Sequence, residues 1–260
     1  MLIMDAILLG GGVGHRFSEI PSTIPKQFQL LGEVPVFIHA IRSLHSLRLF
    51  RQIVVTAPAS YFHQTKAMIQ KYLSSDSQSN IRVVVGGARR QDSSSLALDS
   101  LAELDPMPHR VAIHDACRPF LSKEFLNRIE KSLKDESFAA WIPVIPVTET
   151  LKRIEGGRVA ETVDRESIQR VQTPQIFDYE TIQTLMARAK KTPALHFTDD
   201  ASLCEHYGIS VGIFEGDVNN IKLTYPFELE ALSSIMGKIF ELKKEKRATC
   251  ELESDMTFTV

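Results

Sequence analysis

The sequence predicts an α/β fold, with a mostly parallel sheet wound in the Rossmann-like manner and flanked by helices. Short apolar runs alternate along the chain with segments whose apolar residues recur at helical spacing, which is typical of βαβ units. A glycine-rich segment directly follows the first apolar run. Polar and charged residues also follow several later runs, at the positions where open α/β sheets bind ligands.

The first half of the chain alternates regularly between the two patterns. The apolar run at residues 4–9 predicts the first strand, and the spacing of Phe37, Ile41 and Leu44 indicates a helix over residues 36–47. The next elements follow in order: a strand at 53–57, a helix at 61–73, a polar loop at 74–80, a strand at 81–85 and a helix at 92–104.

The second half continues the alternation with one interruption. A strand at 139–147 contains two prolines, so it is expected to be bent or to lie partly at a sheet edge. The other predicted elements are a strand at 111–114, a helix at 123–133, a helix at 181–189, a strand at 211–214 and an amphipathic helix at 227–242.

The interruption is a charged segment over about residues 147–170. Gly156 and Gly157 predict a hairpin turn between strands at 150–154 and 158–163. A two-stranded projection is marginally stable alone in water, so this arm is expected to pack on something, and a second subunit is the simplest candidate.

Composition limits the possible classes of protein. A chain of 260 residues with 43% hydrophobic residues suits one large domain, predicted over residues 1–242, with a peripheral tail at 243–260. The net charge of −2 and the absence of a basic stripe argue against nucleic acid and anionic membranes as partners. Three widely spaced cysteines, no leader pattern and no apolar run of roughly 18 residues predict a soluble cytoplasmic protein.

The loop after the first strand is the strongest candidate for a ligand site. Glycines allow a backbone to approach an anion closely, and neighbouring cations supply charge for a polyphosphate. A dinucleotide fingerprint is incomplete here, because Phe17 replaces its third glycine and the second strand ends without a carboxylate. The motif of a kinase-like phosphate loop is also missing, which leaves a turn without a ligand as the alternative. The residues of this loop are Gly10, Gly11, Gly12, Gly14, Arg16 and Lys26.

Two further segments follow predicted strands. In the first, Gly87, Arg90, Asp92 and Ser93 lie where a helix begins, so they indicate either a base or ribose site or simple helix capping.

The second comprises residues 114–119. Asp115 at the tip of a strand is suited to Mg²⁺, which prefers a carboxylate together with phosphate oxygens. The alternative is that Asp115 and Arg118 pair with each other and organise the loop, while His114 is more simply a structural histidine.

Two last segments complete the set. Thr150 and Arg165 lie in the arm, where a hydroxyl and a guanidinium together suit a phosphomonoester, and Thr173 follows them. Lys222, in the segment at 219–224, lies beyond a late strand and is placed to return to the phosphates.

Together these segments resemble the family of 2-C-methyl-D-erythritol 4-phosphate cytidylyltransferases, which act in non-mevalonate isoprenoid synthesis. The matching segments occur in the family's order between residue 4 and about residue 236. They are GGGVGHRF–PKQF, GGARRQDS, HDACRP, ETLKR–TVDR–QTPQ, TDDAS and NNIKLT.

The resemblance implies a nucleotidyltransferase that needs Mg²⁺, takes CTP and a polyol phosphate, and forms a homodimer whose arms reach into each other's sites. It implies catalytic roles for Arg16, Lys26 and Lys222, and a place for Asp115 at the metal. It implies acceptor-phosphate binding by Thr150 and Arg165 of a second copy, with Thr173 nearby. The implied nucleotide-binding residues are Gly10, Gly11, Gly12, Gly14, Gly87, Arg90, Asp92, Ser93, Ala116 and Arg118.

Some residues depart from the family pattern. Gly10 and Gly11 replace two alanines, Cys117 replaces an alanine, Phe17 replaces a frequent methionine, and residues 18–23 lengthen the first loop. A D-ribitol 5-phosphate cytidylyltransferase shares several of these segments and is the nearest alternative. A nucleotide-binding homologue without catalytic activity is the alternative from a different class.

Overall fold

The computed structural model describes residues 4–12, 24–46, 48–192 and 196–239. Within them the α/β alternation predicted from the sequence is confirmed. The strands are β1 (Met4–Leu9), β2 (Leu30–Leu31), β3 (Val34–Pro35), β4 (Phe50–Ala57), β5 (Ile81–Val85), β6 (Arg110–Asp115), β7 (Ala140–Pro146), β8 (Leu151–Glu155), β9 (Arg158–Val163), β10 (Gln169–Val171), β11 (Gln175–Asp178) and β12 (Val211–Glu215). The helices are α1 (Val36–Ser46), α2 (Phe62–Tyr72), α3 (Ser75–Gln78), α4 (Arg90–Leu101), α5 (Lys123–Ser132), α6 (Tyr179–Lys190), α7 (Ala201–His206) and α8 (228–239).

Among the described residues the main sheet has eight strands. Strands β5, β4, β1 and β6 lie side by side and are parallel, as predicted. Beyond β6 comes β11, which is antiparallel to both β6 and β7, and β10 is antiparallel to β7, whereas β12 pairs with β7 in parallel. β7 and β12 therefore run in the same direction as the first four strands, so the sheet is mostly parallel as expected, and the two reversed strands, β10 and β11, are too short to show a clear apolar pattern.

Helices cover both faces of the sheet. Successive residues of the central strand β1 face opposite sides of the sheet. Leu8 packs in the cluster with α1, α2 and α5, and Ile7 packs in the cluster with α4, α6 and α7. Both side chains are fully buried. Burial of each such side chain contributes about 1.5–3 kcal/mol, which explains why β1 is apolar on both faces.

Local signals set several helix starts. Ser122 and Asp178 accept hydrogen bonds from the backbone N–H groups of Phe125 and Thr181, which caps α5 and α6. Ser74 caps α3 in the same way, so the segment at 74–80, predicted as a loop, contains a short helix. The four residues of α3 are all polar, so no apolar periodicity in the sequence predicts this helix.

The arm forms a separate two-stranded antiparallel sheet of β8 and β9. Gly156 and Gly157 have φ values of 54° and 77°, the left-handed conformation that a tight turn of this kind requires. Ile154 and Val159 are 58% and 60% exposed, so this two-stranded sheet presents apolar side chains to its surroundings.

The helices of the described residues are also informative about membranes. None of them is long and apolar enough to cross a bilayer. The predicted tail at 243–260 lies outside the described residues.

Candidate active site

The candidate site lies where β1 and β6 end side by side. Leu9 pairs with Asp115 at the last position of the two strands, and the N–H of Ala116 donates to the carbonyl of Leu9 at 3.0 Å. The glycine loop and the segment at 114–119 therefore leave the sheet at the same edge, as the sequence predicted. Ala116 is buried beneath this edge.

Close packing explains the first two glycines of the loop. A Cβ atom on Gly10 would lie 2.7 Å from the carbonyl oxygen of Thr56, and one on Gly11 would lie 2.8 Å from Oγ of Ser93. A Cβ atom on Gly12 meets nothing within 4 Å among the described residues. Gly14 and Arg16 lie outside the described residues.

Gln27 holds the loop in place, a role that the sequence analysis did not assign. Its Nε2 donates to the carbonyl oxygens of Gly10 at 2.6 Å and Gly12 at 3.0 Å. Gln27 is buried, and it follows Lys26 in a short 3₁₀ turn, Lys26–Phe28. The sequence pointed to Gln27 only through its place next to Lys26, the predicted catalytic lysine.

Asp115 is the electrostatic centre of the site. Its Oδ2 lies 2.8 Å from Nζ of Lys222 and 3.5 Å from Nε of Arg118, and its Oδ1 lies 3.7 Å from Nε of Arg90. Burial would raise the pKa of this carboxyl, but the charges of Lys222, Arg90 and Arg118 outweigh burial and hold its pKa well below the usual range. Three cations around one carboxylate leave a local positive excess, which suits polyanionic ligands.

Arg90 bridges two carboxylates. Its Nη1 lies 2.6 Å from Oδ2 of Asp200, a buried residue at the start of α7. Its Nη2 is buried and has no hydrogen-bond partner among the described residues. Nη2 of Arg90 is therefore a donor that no described residue accepts from.

A hydrogen-bond network lies beneath Asp115. The Nε2 of His114 is 3.0 Å from the carbonyl oxygen of Arg118, so this nitrogen must carry the proton. The hydroxyl of Thr173 then donates to Nδ1 of His114 at 2.9 Å and accepts from the N–H of Asp115 at 3.1 Å. Burial lowers the pKa of His114 to about 4, so the imidazole is neutral and structural, as the sequence analysis favoured.

The loop that carries Lys222 is tied to the same network. Nη1 of Arg118 donates to the carbonyl oxygen of Asn220 at 2.6 Å, and the side chain of Asn220 donates to the carbonyl oxygen of Thr173 at 2.8 Å. Nε2 of Gln172 donates to the carbonyl oxygen of Asp217 at 2.8 Å. Gln172 and Asn220 were not predicted as site residues, although both lie inside the segments that the sequence singled out.

The segment at 86–93 begins α4 by side-chain capping. Asp92 accepts from the backbone N–H of Arg89 at 3.1 Å, and Oγ of Ser93 accepts from the N–H of Gly87 at 3.0 Å. A Cβ atom on Gly87 would lie 2.3 Å from Cβ of Asp92, so only glycine fits there. The structure thus shows the helix capping that the sequence allowed as one alternative. The capping also places Oγ of Ser93 close to Gly11 of the glycine loop.

The two arm residues lie apart from this cluster. Nη1 of Arg165 donates to the carbonyl oxygen of Thr148 at 2.6 Å, and both Thr150 and Arg165 are exposed. Within the described chain, no hydrogen bond or ion pair joins either residue to Asp115 or Lys222. A cleft of about 240 Å³ does open beside Lys222, lined by Arg118, Ile145, Arg170, Val171 and Asn220.

The site offers a divalent cation one carboxylate. No group of three or more potential side-chain ligands occurs among the described residues. Nε of Arg90 lies 3.7 Å from Oδ1 of Asp115, beyond hydrogen-bonding distance, whereas Oδ2 is paired with Lys222. This donor set fits Mg²⁺ in its usual mode with nucleotides, in which one carboxylate joins phosphate oxygens and water.

Comparison with known proteins identifies the family. The model of the family described as IspD, 2-C-methyl-D-erythritol 4-phosphate cytidylyltransferase, matches residues 4–238. The chain is 34% identical over 230 residues to a 2-C-methyl-D-erythritol 4-phosphate cytidylyltransferase from Bacillus cytotoxicus, covering 88% of this chain and 96% of that protein. A crystal structure of 2-C-methyl-D-erythritol 4-phosphate cytidylyltransferase from Thermus thermophilus is 25% identical, with a TM-score of 0.67, and covers 88% of this chain and 97% of that one.

Longer relatives also match. The chain is 33% identical over 237 residues to a bifunctional enzyme IspD/IspF from Bartonella tribocorum, covering 91% of this chain and 57% of that protein. It thus spans little more than half the length of these bifunctional relatives. The family match over residues 4–238 shows that the chain belongs to the 2-C-methyl-D-erythritol 4-phosphate cytidylyltransferase family.

Proposed function

We propose that the protein transfers CMP from CTP to 2-C-methyl-D-erythritol 4-phosphate and releases pyrophosphate. The observation that carries this proposal is the convergence of Lys222, Arg118 and Arg90 on Asp115, beside the glycine loop, in a chain of this family. An oxygen of the acceptor phosphate attacks the α-phosphorus of CTP. The bond from the α-phosphorus to the bridging oxygen breaks, and pyrophosphate carries the electron pair away.

The chemistry needs charge screening rather than a strong base. The acceptor phosphate is already anionic at neutral pH, so the main barrier is the meeting of two polyanions and the growth of charge on the leaving group. Lys26 and Lys222, with Arg16 of the first loop, supply fixed positive charge for this purpose. Because Gln27 and Asp115 hold the glycine loop and Lys222 in position, little reorganisation is needed during reaction.

The metal has a limited role in this proposal. When bound, Mg²⁺ supplies charge neutralisation to the phosphates of CTP. Asp115 would hold it, with Oδ1 as the available oxygen, since Oδ2 is paired with Lys222. The loop of Gly10, Gly11, Gly12 and Gly14 lies against the phosphates in this proposal, although the N–H of Gly10 itself is used by the carbonyl and hydroxyl oxygens of Thr56 and is not a phosphate donor. Gly87, Arg90, Asp92, Ser93, Ala116 and Arg118 surround the nucleotide.

The acceptor site is shared between two copies of the chain in this proposal. Thr150 and Arg165 are exposed on the arm and are not joined to Asp115 of their own chain, which supports a role in the site of a second copy. Exposed Ile154 and Val159 on the same arm favour burial in a homodimer. Thr173 then lines the acceptor site from within the chain.

Domain extent and location complete the proposal. A single catalytic domain extends to about residue 242, close to the end of the family match at 238, and a peripheral tail follows at 243–260. Cys117 and Cys204 are buried free thiols, which supports a reducing compartment and therefore the cytoplasm.

Pyrophosphate release with CTP and Mg²⁺ tests the function. The measurement is run in parallel with 2-C-methyl-D-erythritol 4-phosphate and with D-ribitol 5-phosphate. Release with the methylerythritol substrate alone supports the proposal, and release with ribitol phosphate alone would keep the mechanism but replace the acceptor. Tight CTP binding with no release for either acceptor would instead indicate a homologue without catalytic activity.

A further inference from the structure

Arg90 lies between two carboxylates at unequal distances. Nη1 of Arg90 is 2.6 Å from Oδ2 of Asp200, whereas Nε of Arg90 is 3.7 Å from Oδ1 of Asp115. The first contact is a short charge-assisted hydrogen bond, and the second is too long for one. Arg90 is therefore hydrogen-bonded to Asp200 and lies near Asp115 without a hydrogen bond to it.

The partner carboxylate is itself firmly anchored. Asp200 is buried, and it lies in a turn fixed by its neighbours on both sides. Oδ2 of Asp199 accepts from Nε2 of Gln175 at 2.6 Å, and Oε1 of Gln175 accepts from the N–H of Ala201 at 3.2 Å. Gln175 lies on β11, beside β6, so the turn is attached to the strand next to the one that ends at Asp115.

Stability alone does not explain this buried pair. A buried ion pair is weak evidence for stability, because apolar residues of similar volume often serve equally well. The pair does have a clear geometric effect on the site. The contact with Asp200 occupies Nη1 of Arg90. Without that contact, the guanidinium could rotate towards Asp115, the other carboxylate within 4 Å of it in the described chain.

We propose that Asp200 is a positioning residue that holds the Arg90 guanidinium away from Oδ1 of Asp115 and so keeps that oxygen available to the divalent cation. This inference rests on the proposed function, because it assumes that Asp115 holds the metal. Without Asp200, Arg90 pairs with Asp115 at hydrogen-bonding distance and competes with the cation for the same oxygen.

Metal binding without turnover gives the direct test. Mn²⁺ is titrated into the protein mixed with a methylene analogue of CTP, and water proton relaxation reports the bound Mn²⁺. We expect Asp200→Asn to weaken Mn²⁺ binding by about 10- to 100-fold, the range found for partners of metal ligands. The concentration of Mg²⁺ for half-maximal pyrophosphate release is expected to rise in parallel.

Three further variants separate positioning from simple loss of charge. Asp99→Asn removes a negative charge from α4, the helix that begins at Arg90, while leaving the Arg90–Asp200 contact in place, so its Mn²⁺ affinity is expected to stay near that of the wild type. In Asp200→Asn combined with Arg90→Gln, no guanidinium is left to occupy Oδ1, so Mn²⁺ affinity is expected to recover to that of Arg90→Gln alone, the variant that shows what Arg90 itself contributes to binding of the CTP analogue. The double variant also removes the unpaired buried charge, and it carries the test if the single variant fails to fold.

Three outcomes would overturn the inference. They are an Asp200→Asn variant that binds Mn²⁺ as tightly as the wild type, an equal weakening in Asp99→Asn, and a double variant that does not recover to the affinity of Arg90→Gln. A wild-type protein that binds Mn²⁺ with the CTP analogue but releases no pyrophosphate would contradict the proposed function and leave the positioning role intact.

Discussion

Nζ of Lys222 lies 2.8 Å from Oδ2 of Asp115, although the two residues come from distant parts of the chain. Asp115 ends a central strand, whereas Lys222 lies on a loop beyond the last strand of the sheet. The contact sets the lysine ammonium at the edge where the glycine loop also ends. The carboxylate therefore serves to orient a cation as well as to offer an oxygen to a metal.

Removal of this lysine is expected to slow the reaction sharply. We predict that Lys222→Ala lowers kcat for pyrophosphate release by about 10²–10³, as for the loss of one preorganised charge-stabilising donor in other enzymes. Lys190→Ala is the matched control, because Lys190 forms only an exposed ion pair with Asp99. Near-normal turnover in Lys222→Ala would remove this residue from the mechanism.

Gln27 is expected to act on nucleotide binding through the glycine loop. Gln27→Ala leaves the carbonyl oxygens of Gly10 and Gly12 without their side-chain donor, which we expect to cost about 1–3 kcal/mol of unfolding free energy. The KM for CTP should rise while the KM for the acceptor changes little. Gln29→Ala, whose side chain contacts an exposed carbonyl of Ile24, is the control, and equal effects in both variants would contradict the assignment.

The first and third glycines of the loop should differ in their tolerance of alanine. A Cβ atom at Gly10 meets a backbone carbonyl at 2.7 Å that cannot move cheaply, so Gly10→Ala is expected to cost about 1–3 kcal/mol of stability. Gly12→Ala meets nothing within 4 Å among the described residues and is expected to fold normally. Urea unfolding of both variants tests the pair, and equal stabilities would show that the close approach is relieved at little cost.

Stability is expected to fall as the pH is lowered because of His114. The pKa of this buried histidine is about 4, below the 6.5 of an unperturbed histidine, so the unfolded chain binds more protons between these values. Its contribution is complete above about pH 6.5 and is lost as the pH falls towards 4, by about 3 kcal/mol in total. Burial also lowers the pKa values of His39 and His45, which act in the same direction.

Unfolding free energies measured between pH 7 and pH 4 check the effect. His114→Gln should be less stable at neutral pH, since it loses part of the network with Thr173, but its stability should depend less steeply on pH. The low pKa of Asp115 acts in the same direction, but its contribution is lost only from about pH 5 downwards, so the slope between pH 7 and pH 5 reports the histidines. A slope unchanged by His114→Gln would show that other groups dominate.

If the acceptor site is shared between two subunits, as proposed, two defective subunits should rescue each other. Arg165→Ala and Lys222→Ala should each be nearly inactive alone. After random reassociation, half of the dimers combine both variants and one of their two sites is intact, so about a quarter of wild-type activity should return. Asp115→Asn mixed with Lys222→Ala should give no rescue, because both residues belong to the same site. A mixture of the first pair that stays inactive would exclude an arm acting between subunits.

Local patterns in the sequence were sufficient for much of the fold. The apolar run of β1, the helical spacing of α1 and the two glycines of the arm each reflect interactions within a few residues, so each was predicted close to its observed position. The polar segments after the strands also predicted the correct edge of the sheet. Short elements such as α3, β10 and β11 were missed, since three or four residues carry too little periodicity.

The sequence by itself therefore determined the family and the α/β alternation, and it singled out the polar segments that meet at one edge of the sheet. Only the tertiary structure decided that the two short strands β10 and β11 run against the rest of the sheet, that Gln27 holds the glycine loop and that Asp200 binds Arg90 near Asp115. The physical reason is the range of the interactions. Helix and strand periodicity is local, whereas contacts such as Arg90–Asp200 and Lys222–Asp115 join distant segments that only the packing of the sheet brings together.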